Sequence, residues 1–487
     1  MSLKTLGKDS VIYGFGHVVS RLITFLLLPI YTHTFSAEEY GVISLAYAFI
    51  GFTLVIYRYG MDTALMKFSI QVADTEKKSY ISSIYLLQFM TSLIFSIIVF
   101  IFRENICVSI LGVNDVSLIS IIAVVIFLDN LWNHHVLLLR SENKSSAFIF
   151  FNLLNVVLTM MLNIIFIIKW DYGVSGVLIA NLIASASVFI LSSPIILKRT
   201  SIYKVNLIIL KKVIMFGLPF LPAGLFTMIM ELSNRYILSF MKGVQHVGLF
   251  SAGYKLGIFA LVLVMGFNMG WTPYFLRRIK EDESKKDFAI IATIFLGLVG
   301  FVVFTISIWI SDIIRFSIGG NHFIGQEFWA SEIIVPAVLF GYFFFGAYVI
   351  QLPGIYAKNI TNWVPVFRCI GAVVNILLNI LLIPKYGILG SAWATAISFF
   401  IMALAVYLKL YNSFYVNYNW IGLCYPVIAM LVSSLDIQNT FLRIIMPLGY
   451  IFIWYIFIIN EDEKKSKKIY KRDFISGCSY LLFTFPR

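Results

Sequence analysis

Leu162-Asn163-Ile164-Ile165-Phe166-Ile167, closed by Tyr172-Gly173-Val174-Ser175-Gly176 and Ala180, decides how this chain is built, because it returns as Leu378-Asn379-Ile380-Leu381-Leu382-Ile383, Tyr386-Gly387-Ile388-Leu389-Gly390 and Ala394. Outward from each copy the sequence stays apolar for the length of a membrane span on either side, so each motif joins two hydrophobic segments. A fainter echo lies upstream of both, with Gly41, Ser44 and Tyr47 answered by Gly248, Ser251 and Tyr254. The two echoes keep the same order at offsets of 207 to 216 residues, which predicts two halves of six spans each. Because six is even, both halves enter the membrane in the same direction, and their pseudo-symmetry axis lies along the membrane normal, the arrangement of transporters that rock two lobes about a central cavity.

The rest of the chain has the same character. Fourteen apolar stretches are expected at 11–33, 41–63, 79–102, 117–139, 147–168, 173–197, 213–236, 248–272, 287–310, 333–356, 361–384, 386–408, 419–435 and 440–459. Each can cross about 30 Å of hydrocarbon as a helix that satisfies its own backbone polar groups. A composition of 60% hydrophobic and 13% charged residues, with a mean hydropathy of +0.90, exceeds what a soluble core requires. The expected fold is an all-α polytopic membrane protein of about fourteen helices. Its divisions are a six-helix lobe over 1–200, a second over 201–411, two extra spans in 412–460 and a basic tail at 461–487.

The net charge of +13 invites a nucleic-acid reading, but the position of the basic residues removes it. With the N-terminus in the cytoplasm, 26 of the 37 basic residues fall on that side, 7 on the other, and 4 lie within spans. That bias is the positive-inside rule, with both termini cytoplasmic. Cys107, Cys369, Cys424 and Cys478 are far apart and have neither disulfide-framework nor metal-site spacing. The N-terminal apolar run is too long for a secretory signal, contains Arg21 and lacks a small-residue cleavage site, so it reads as the first span. Pro29 in the first span of one half, and Pro219 and Pro222 in the first span of the other, are candidate hinges.

Function must come from polar groups that a bilayer penalises, since a cation at mid-depth costs on the order of 3 kcal/mol and therefore faces water or a partner. Arg21 lies about 15 Å into the first span at 1.5 Å per residue, too deep to reach the surface. Arg58, Lys255 and Arg368 add basic groups to both halves. Arg58 with Asp62, and Glu231 with Arg235, are spaced four apart and could pair on one helical face near a membrane edge; Lys255 and Arg368 could instead reach headgroups with their long stems. Asp129, about 18 Å into the fourth span by the same rise, has no base at helical spacing. It could carry a coupling proton or cation, answer Arg21, or stay protonated. Asp62, Asp129 and Glu231 are the candidate coupling or counter-ion groups. His134 and His135 are adjacent, point two ways and argue little for a metal. Arg21, Arg58, Lys255 and Arg368 together would line a cationic vestibule, and guanidinium forks suit phosphate and diphosphate.

Further stretches carry a family resemblance: Ser10 to Gly16, Ser20-Arg21, Leu28-Pro29-Ile30-Tyr31, Phe35 to Gly41, Gly60 to Phe68, Phe216 to Pro222, Asn234-Arg235-Tyr236, Gly248 to Lys255 and Ile383 to Gly390. Across the first twelve spans the chain resembles Wzx-type polysaccharide flippases. The resemblance implies the fold of multidrug (MATE) exporters, two six-helix lobes in a V. It also implies an activity: moving an undecaprenyl-pyrophosphate-linked oligosaccharide from the cytoplasmic to the outer leaflet for O-antigen or capsule assembly. In the related lipid II flippases a Ser-Arg pair of the first helix serves a basic cavity, which places that role on Ser20-Arg21, and Lys255 matches the Tyr-Lys of the second half. Relatives often have Asp where this chain has Asn234, which leaves an ionic role there in doubt.

The resemblance further implies a bacterial inner-membrane protein that is no enzyme and needs no cofactor beyond a coupling proton or sodium ion. Its partners would be the lipid-linked oligosaccharide, membrane lipid, a polysaccharide polymerase and a chain-length regulator, with no nucleic acid. A MATE-like exporter of small cations would share the fold but favours an acidic cavity. A membrane-embedded glycan polymerase or ligase would need an acid-base pair in a sizeable outer loop, and the longest such segment, around 311–332, shows none. No phosphate-binding loop for ATP is present.

Overall fold

The structure is a computed structural model that describes residues 3–279, 281, 284–318, 320–433 and 439–455. The expected tail at 461–487 and Cys478 lie outside the described residues, as do the side chains of most residues before Val18. Within the described residues the chain is helical apart from a two-residue strand pair, β1 (Ser317–Ile318) and β2 (Asn321–His322).

The helices in chain order are α1 (Leu3–Thr34), α2 (Ala37–Arg58), α3 (Met61–Gln71), α4 (Asp74–Ile101), α5 (Val116–Ser141), α6 (Ser145–Ile164) and α7 (Gly173–Leu197). A second series follows: α8 (Leu207–Gly217), α9 (Phe220–Lys242), α10 (Val244–Leu256), α11 (Ile258–Arg278), α12 (Ser284–Arg315), α13 (Val335–Val349) and α14 (Val364–Tyr411). Two shorter apolar helices, α15 (Trp420–Ser433) and α16 (Thr440–Trp454), close the described chain. Among the described residues nine helical segments are long and apolar enough to cross a membrane, and the bent pair α8 and α9 makes a tenth. A helix underlies each of the fourteen expected stretches.

Local chemistry explains the boundaries. Ser36 caps α2, accepting from the Glu39 N–H at 3.2 Å, while the Glu39 carboxylate accepts from the Ser36 N–H at 2.9 Å. The second expected span does not run unbroken to residue 63. Tyr59 and Gly60 turn left-handed, at φ 29° and 81°, so Arg58 ends one helix and Asp62 opens the next. The four-residue spacing of Arg58 and Asp62 therefore puts them on no common helical face, and Asp62 instead accepts from the Thr63 N–H at 2.8 Å. Of the proline candidates, Pro219 lies in the gap between α8 and α9, which meet at 42°, whereas Pro29 sits inside an uninterrupted α1.

The repeat is visible in atomic detail. Gly173 and Gly387 both adopt positive φ, 57° and 55°, which is what their Tyr-Gly sequence supplies at the turn between two spans. The second glycines, Gly176 and Gly390, let the chain fold back on Phe166 and Leu382, equivalent positions of the two copies. Asn163 and Asn379 are fully buried and each donates to the carbonyl four residues back, at 2.7 and 2.8 Å. A closer sign of symmetry joins the halves themselves. Where α2 and α10 cross, a Cβ on Gly41 would fall 2.1 Å from the Val244 carbonyl oxygen, and one on Gly248 would fall 1.8 Å from that of Ala37. Ser44 and Ser251 share a hydrogen bond of 2.5 Å at the same crossing. Small residues let membrane helices approach to this distance.

The same end of the bundle is sealed by the segment after α12. Glu327 accepts from the Ala37 N–H at 2.8 Å and Gly325 donates to the Thr32 hydroxyl at 3.2 Å. At the opposite end α8, which opens the second half in sequence, is seated on the first: Phe216 packs on Phe68, and the Lys67 ammonium lies 3.8 Å over the Phe216 ring.

Candidate functional site

Helix α9 packs on α2 through Gly51 against Leu232 and Gly224 against Val55, and on α14 across its other side. Thr227, Glu231 and Arg235 recur every fourth residue and so share one face of α9. Arg368 of α14 reaches this face and donates to the Thr227 hydroxyl at 3.0 Å, with Tyr348 as a second partner. Arg235 donates to the Glu231 backbone carbonyl at 2.8 Å and to the Ser44 hydroxyl of α2 at 3.2 Å. Its guanidinium lies 5.0 Å over the Tyr254 ring. Glu231 thus has an arginine one turn to either side.

Three arginines act electrostatically on the Glu231 carboxylate, Arg21 most strongly, then Arg235 and Arg368. Arg21 acts as well on Tyr254 of α10 and Tyr342 of α13, so it faces the same space from α1. Lys255 lies 5.2 Å over Tyr31 and 5.5 Å over Tyr40, with Arg235 acting on it. Glu231 is open to solvent although protein surrounds it on every side, the condition of a group that borders a hollow rather than an outer surface. Ion pairs are described at Lys144–Glu142, Arg199–Glu142, Arg278–Glu281, Arg278–Asp287, Arg315–Glu332 and Arg443–Asp312. Among the described residues neither Glu231 nor Arg21, Arg235, Lys255 or Arg368 takes part in one.

The other expected residues lie elsewhere. Asp129, in the middle of α5, accepts from the Ser185 hydroxyl at 2.5 Å and the Trp132 indole at 2.9 Å, and the base acting on it is Arg58, not Arg21. Arg58 and Asp62 both act on His134, which lies 2.7 Å from the Asn130 carbonyl of its own helix. His135 turns the other way, to Tyr85 and Ser192, each at 2.8 Å. Arg58 therefore belongs with Asp129 inside the first half, and the expected cationic set divides in two. Arg21 and Arg368 gather around Glu231 together with Arg235, which the sequence placed at a membrane edge, and Lys255 lies beyond Arg235 over Tyr31 and Tyr40. The signal that could have found it is Asn234-Arg235-Tyr236, one of the stretches that carry the resemblance.

Asn234 accepts from Arg235 at 3.3 Å and joins an otherwise neutral network. It reaches Thr395 at 3.5 Å, Asn375 reaches the same hydroxyl at 3.4 Å, and Asn379 accepts from Ser391 at 2.9 Å, all of them buried. A small pocket at the far end of α14, lined by Gln351, Tyr407, Tyr411, Phe414 and Tyr418 among others, shares no residue with the arginine cluster.

Comparison with known proteins places this geometry. The structure of the lipid II flippase MurJ in its inward closed conformation superposes with a TM-score of 0.73 at 17% identity, covering 92% of this chain and 97% of that one. A Vibrio cholerae MATE transporter, VcmN, in a mutant form gives 0.55 at 16% identity over 84% and 96% of the two chains. An inward-facing multidrug resistance MATE family transporter of the MOP superfamily gives 0.55 at 16% over 89% and 96%. The fold is thus the MurJ and MATE fold. No curated protein sequence matches the chain. The pattern of one family, described as polysaccharide biosynthesis protein, matches residues 6–279, more than half of the sequence. On that match, the chain belongs to the polysaccharide biosynthesis protein family.

Proposed function

We propose that this protein is a flippase that carries undecaprenyl-pyrophosphate-linked oligosaccharide units from the cytoplasmic to the outer leaflet for surface polysaccharide, O-antigen or capsule. The observation that carries the reading is the arginine face of α9, where Arg21, Arg235 and Arg368 converge from three helices and none is tied up in an ion pair. Guanidinium groups held by neutral partners keep donors for a diphosphate, and their charge persists at any relevant pH. The family match and the likeness to a lipid II flippase support the same cargo class.

In this reading the headgroup enters from the cytoplasmic side, meets Arg21 and Arg235 with Lys255 beyond them, and leaves its lipid tail in the bilayer. Opening to the far side requires the α2–α10 crossing and the Glu327 contact to part. Proton or sodium movement supplies the energy, and of the candidate carriers Asp129, Glu231 and Asp62 the reading favours Glu231, because Asp129 is bonded by Ser185 and Trp132 and Asp62 by the Thr63 N–H. The protein sits in the bacterial inner membrane with both termini cytoplasmic, alongside a polymerase and a chain-length regulator. A small-cation exporter is disfavoured because cations dominate the cluster. A polymerase is disfavoured because the acids of the long segment after α12 are engaged, Glu332 with Arg315 and Glu327 with the start of α2.

Replacing Arg21 tests the reading. Arg21→Ala should all but abolish surface glycan, a loss of about thirtyfold or more for a charge-assisted contact worth about 2–5 kcal/mol, while the protein still inserts at normal level. Arg21→Lys should retain part of the activity. Normal export by Arg21→Ala would end the assignment.

A further inference from the structure

Glu231 is the one acid on the arginine face, and its surroundings are unlike those of a structural counter-ion. Arg235 is positioned by the Glu231 backbone carbonyl and by Ser44, and Arg368 by Thr227. The arginines are thus held by neutral groups, and the carboxylate itself stays open to solvent. A carboxylate serving only to hold structure together in a membrane interior would be hydrogen-bonded or paired, because an unpaired one is costly there. Glu231 instead occupies, by charge, the place that an anionic headgroup would take.

We propose that Glu231 is a built-in anion that balances the arginines when the transporter is empty and competes with the diphosphate headgroup for the same guanidinium groups. The idea rests on the flippase reading above and adds a regulation of that site. The charged and titratable groups that face Glu231 are Arg21 from α1, Arg235 from its own helix, Tyr254 from α10, Tyr342 from α13 and Arg368 from α14. Lys255, on the far side of Arg235, is the further titratable group of the site, and Glu231 is the acid among them. As pH falls Glu231 takes up a proton, its repulsion of the headgroup vanishes, and the arginines are left to the cargo. Affinity therefore rises on acidification and falls as pH rises. By reciprocity a bound headgroup increases the affinity of Glu231 for a proton by the same factor. The cargo is then released where Glu231 ionises again.

Binding of geranyl diphosphate, a short-chain diphosphate probe, to the full chain in lipid nanodiscs tests this from about pH 5 to 8, where folded proteins tend to be most stable. Glu231→Gln should bind about tenfold tighter than wild type at the alkaline end, the ratio that corresponds to one unit of pKa displacement. It should also lose the part of the pH dependence that neither the probe's own titration nor that of Lys255 explains, the latter read from Lys255→Met. Glu231→Asp keeps the charge and should keep that dependence, which separates loss of charge from loss of fold. Equal or weaker binding by Glu231→Gln, with wild type and Glu231→Asp alike in pH profile, would make Glu231 a structural brace and overturn the proposal while leaving the flippase reading intact. Failure of wild type to bind the probe at any pH would overturn both.

Discussion

Two acids sit in the middle of membrane helices in this molecule, and they are housed in opposite ways. Asp129 is knitted in by a serine hydroxyl and an indole N–H, with Arg58 nearby, and its neighbour Asn130 donates to Gln88 and Ser92. Glu231 has three arginines around it and no bond to its carboxylate among the described residues. A buried polar group with its partners in place rigidifies a core, whereas one left open holds interaction energy in reserve for a ligand. The contrast separates a centre that fastens helices from a centre that exchanges partners, though composition alone would have ranked the two acids alike.

The contrast can be broken in three places. Arg235→Ala strikes the open centre and should lower glycan flipping by about thirtyfold or more, since truncating a charge-assisted contact costs about 2–5 kcal/mol, with the protein present at its usual level. Loss of protein in place of loss of transport would mean that the arginine face is structural after all. Asp129→Ala strikes the closed centre and should lower thermal stability by about 1–3 kcal/mol, the desolvation penalty of the orphaned Ser185 and Trp132 donors. Flipping per molecule should stay within about twofold, because no exchanging group is touched. A stable Asp129→Ala protein that cannot transport would erase the distinction.

The smallest effect lies outside the membrane, at Glu142, where hydrogen bonds from Arg199 and then Lys144 hold the carboxyl down at about 2. A depressed carboxyl contributes stability above its unfolded value of 4.5 that is lost as pH falls toward 2. Arg199→Ala should therefore flatten that acid limb in a thermal-shift series and leave neutral pH nearly unchanged, as expected for a half-exposed surface pair.

The bilayer made most of the fold legible, since each hydrophobic run had to become a helix, and Tyr-Gly-x-x-Gly marked the same turn twice. Depth made part of the site legible too: Arg21, Lys255 and Arg368 stood out because mid-membrane cations need a reason. Arg235 was misplaced for a physical cause. The expected span at 213–236 put it at a membrane edge, but Pro219 breaks the chain there and α9 runs over Phe220–Lys242, which carries Arg235 inward. Arg58 was grouped with the wrong partners because a left-handed turn at Tyr59 and Gly60, invisible to hydropathy, ends its helix early. Tertiary neighbours such as Ser44 beside Arg235 lie 191 residues apart in sequence, and no local pattern announces them.

The crossing of α2 and α10 has one more consequence. Gly41 meets Val244, Gly248 meets Ala37, and Ser44 meets Ser251; a shift of 207 positions turns Ala37 into Val244 and Gly41 into Gly248, so the first two contacts are each other's image and the serines pair with their own counterpart. That is the arithmetic of an isologous contact, the kind two identical subunits make about a dyad. The join therefore has the form of the contact that a half-length chain, with Ala, Gly and Ser at these places, would make with a second copy of itself.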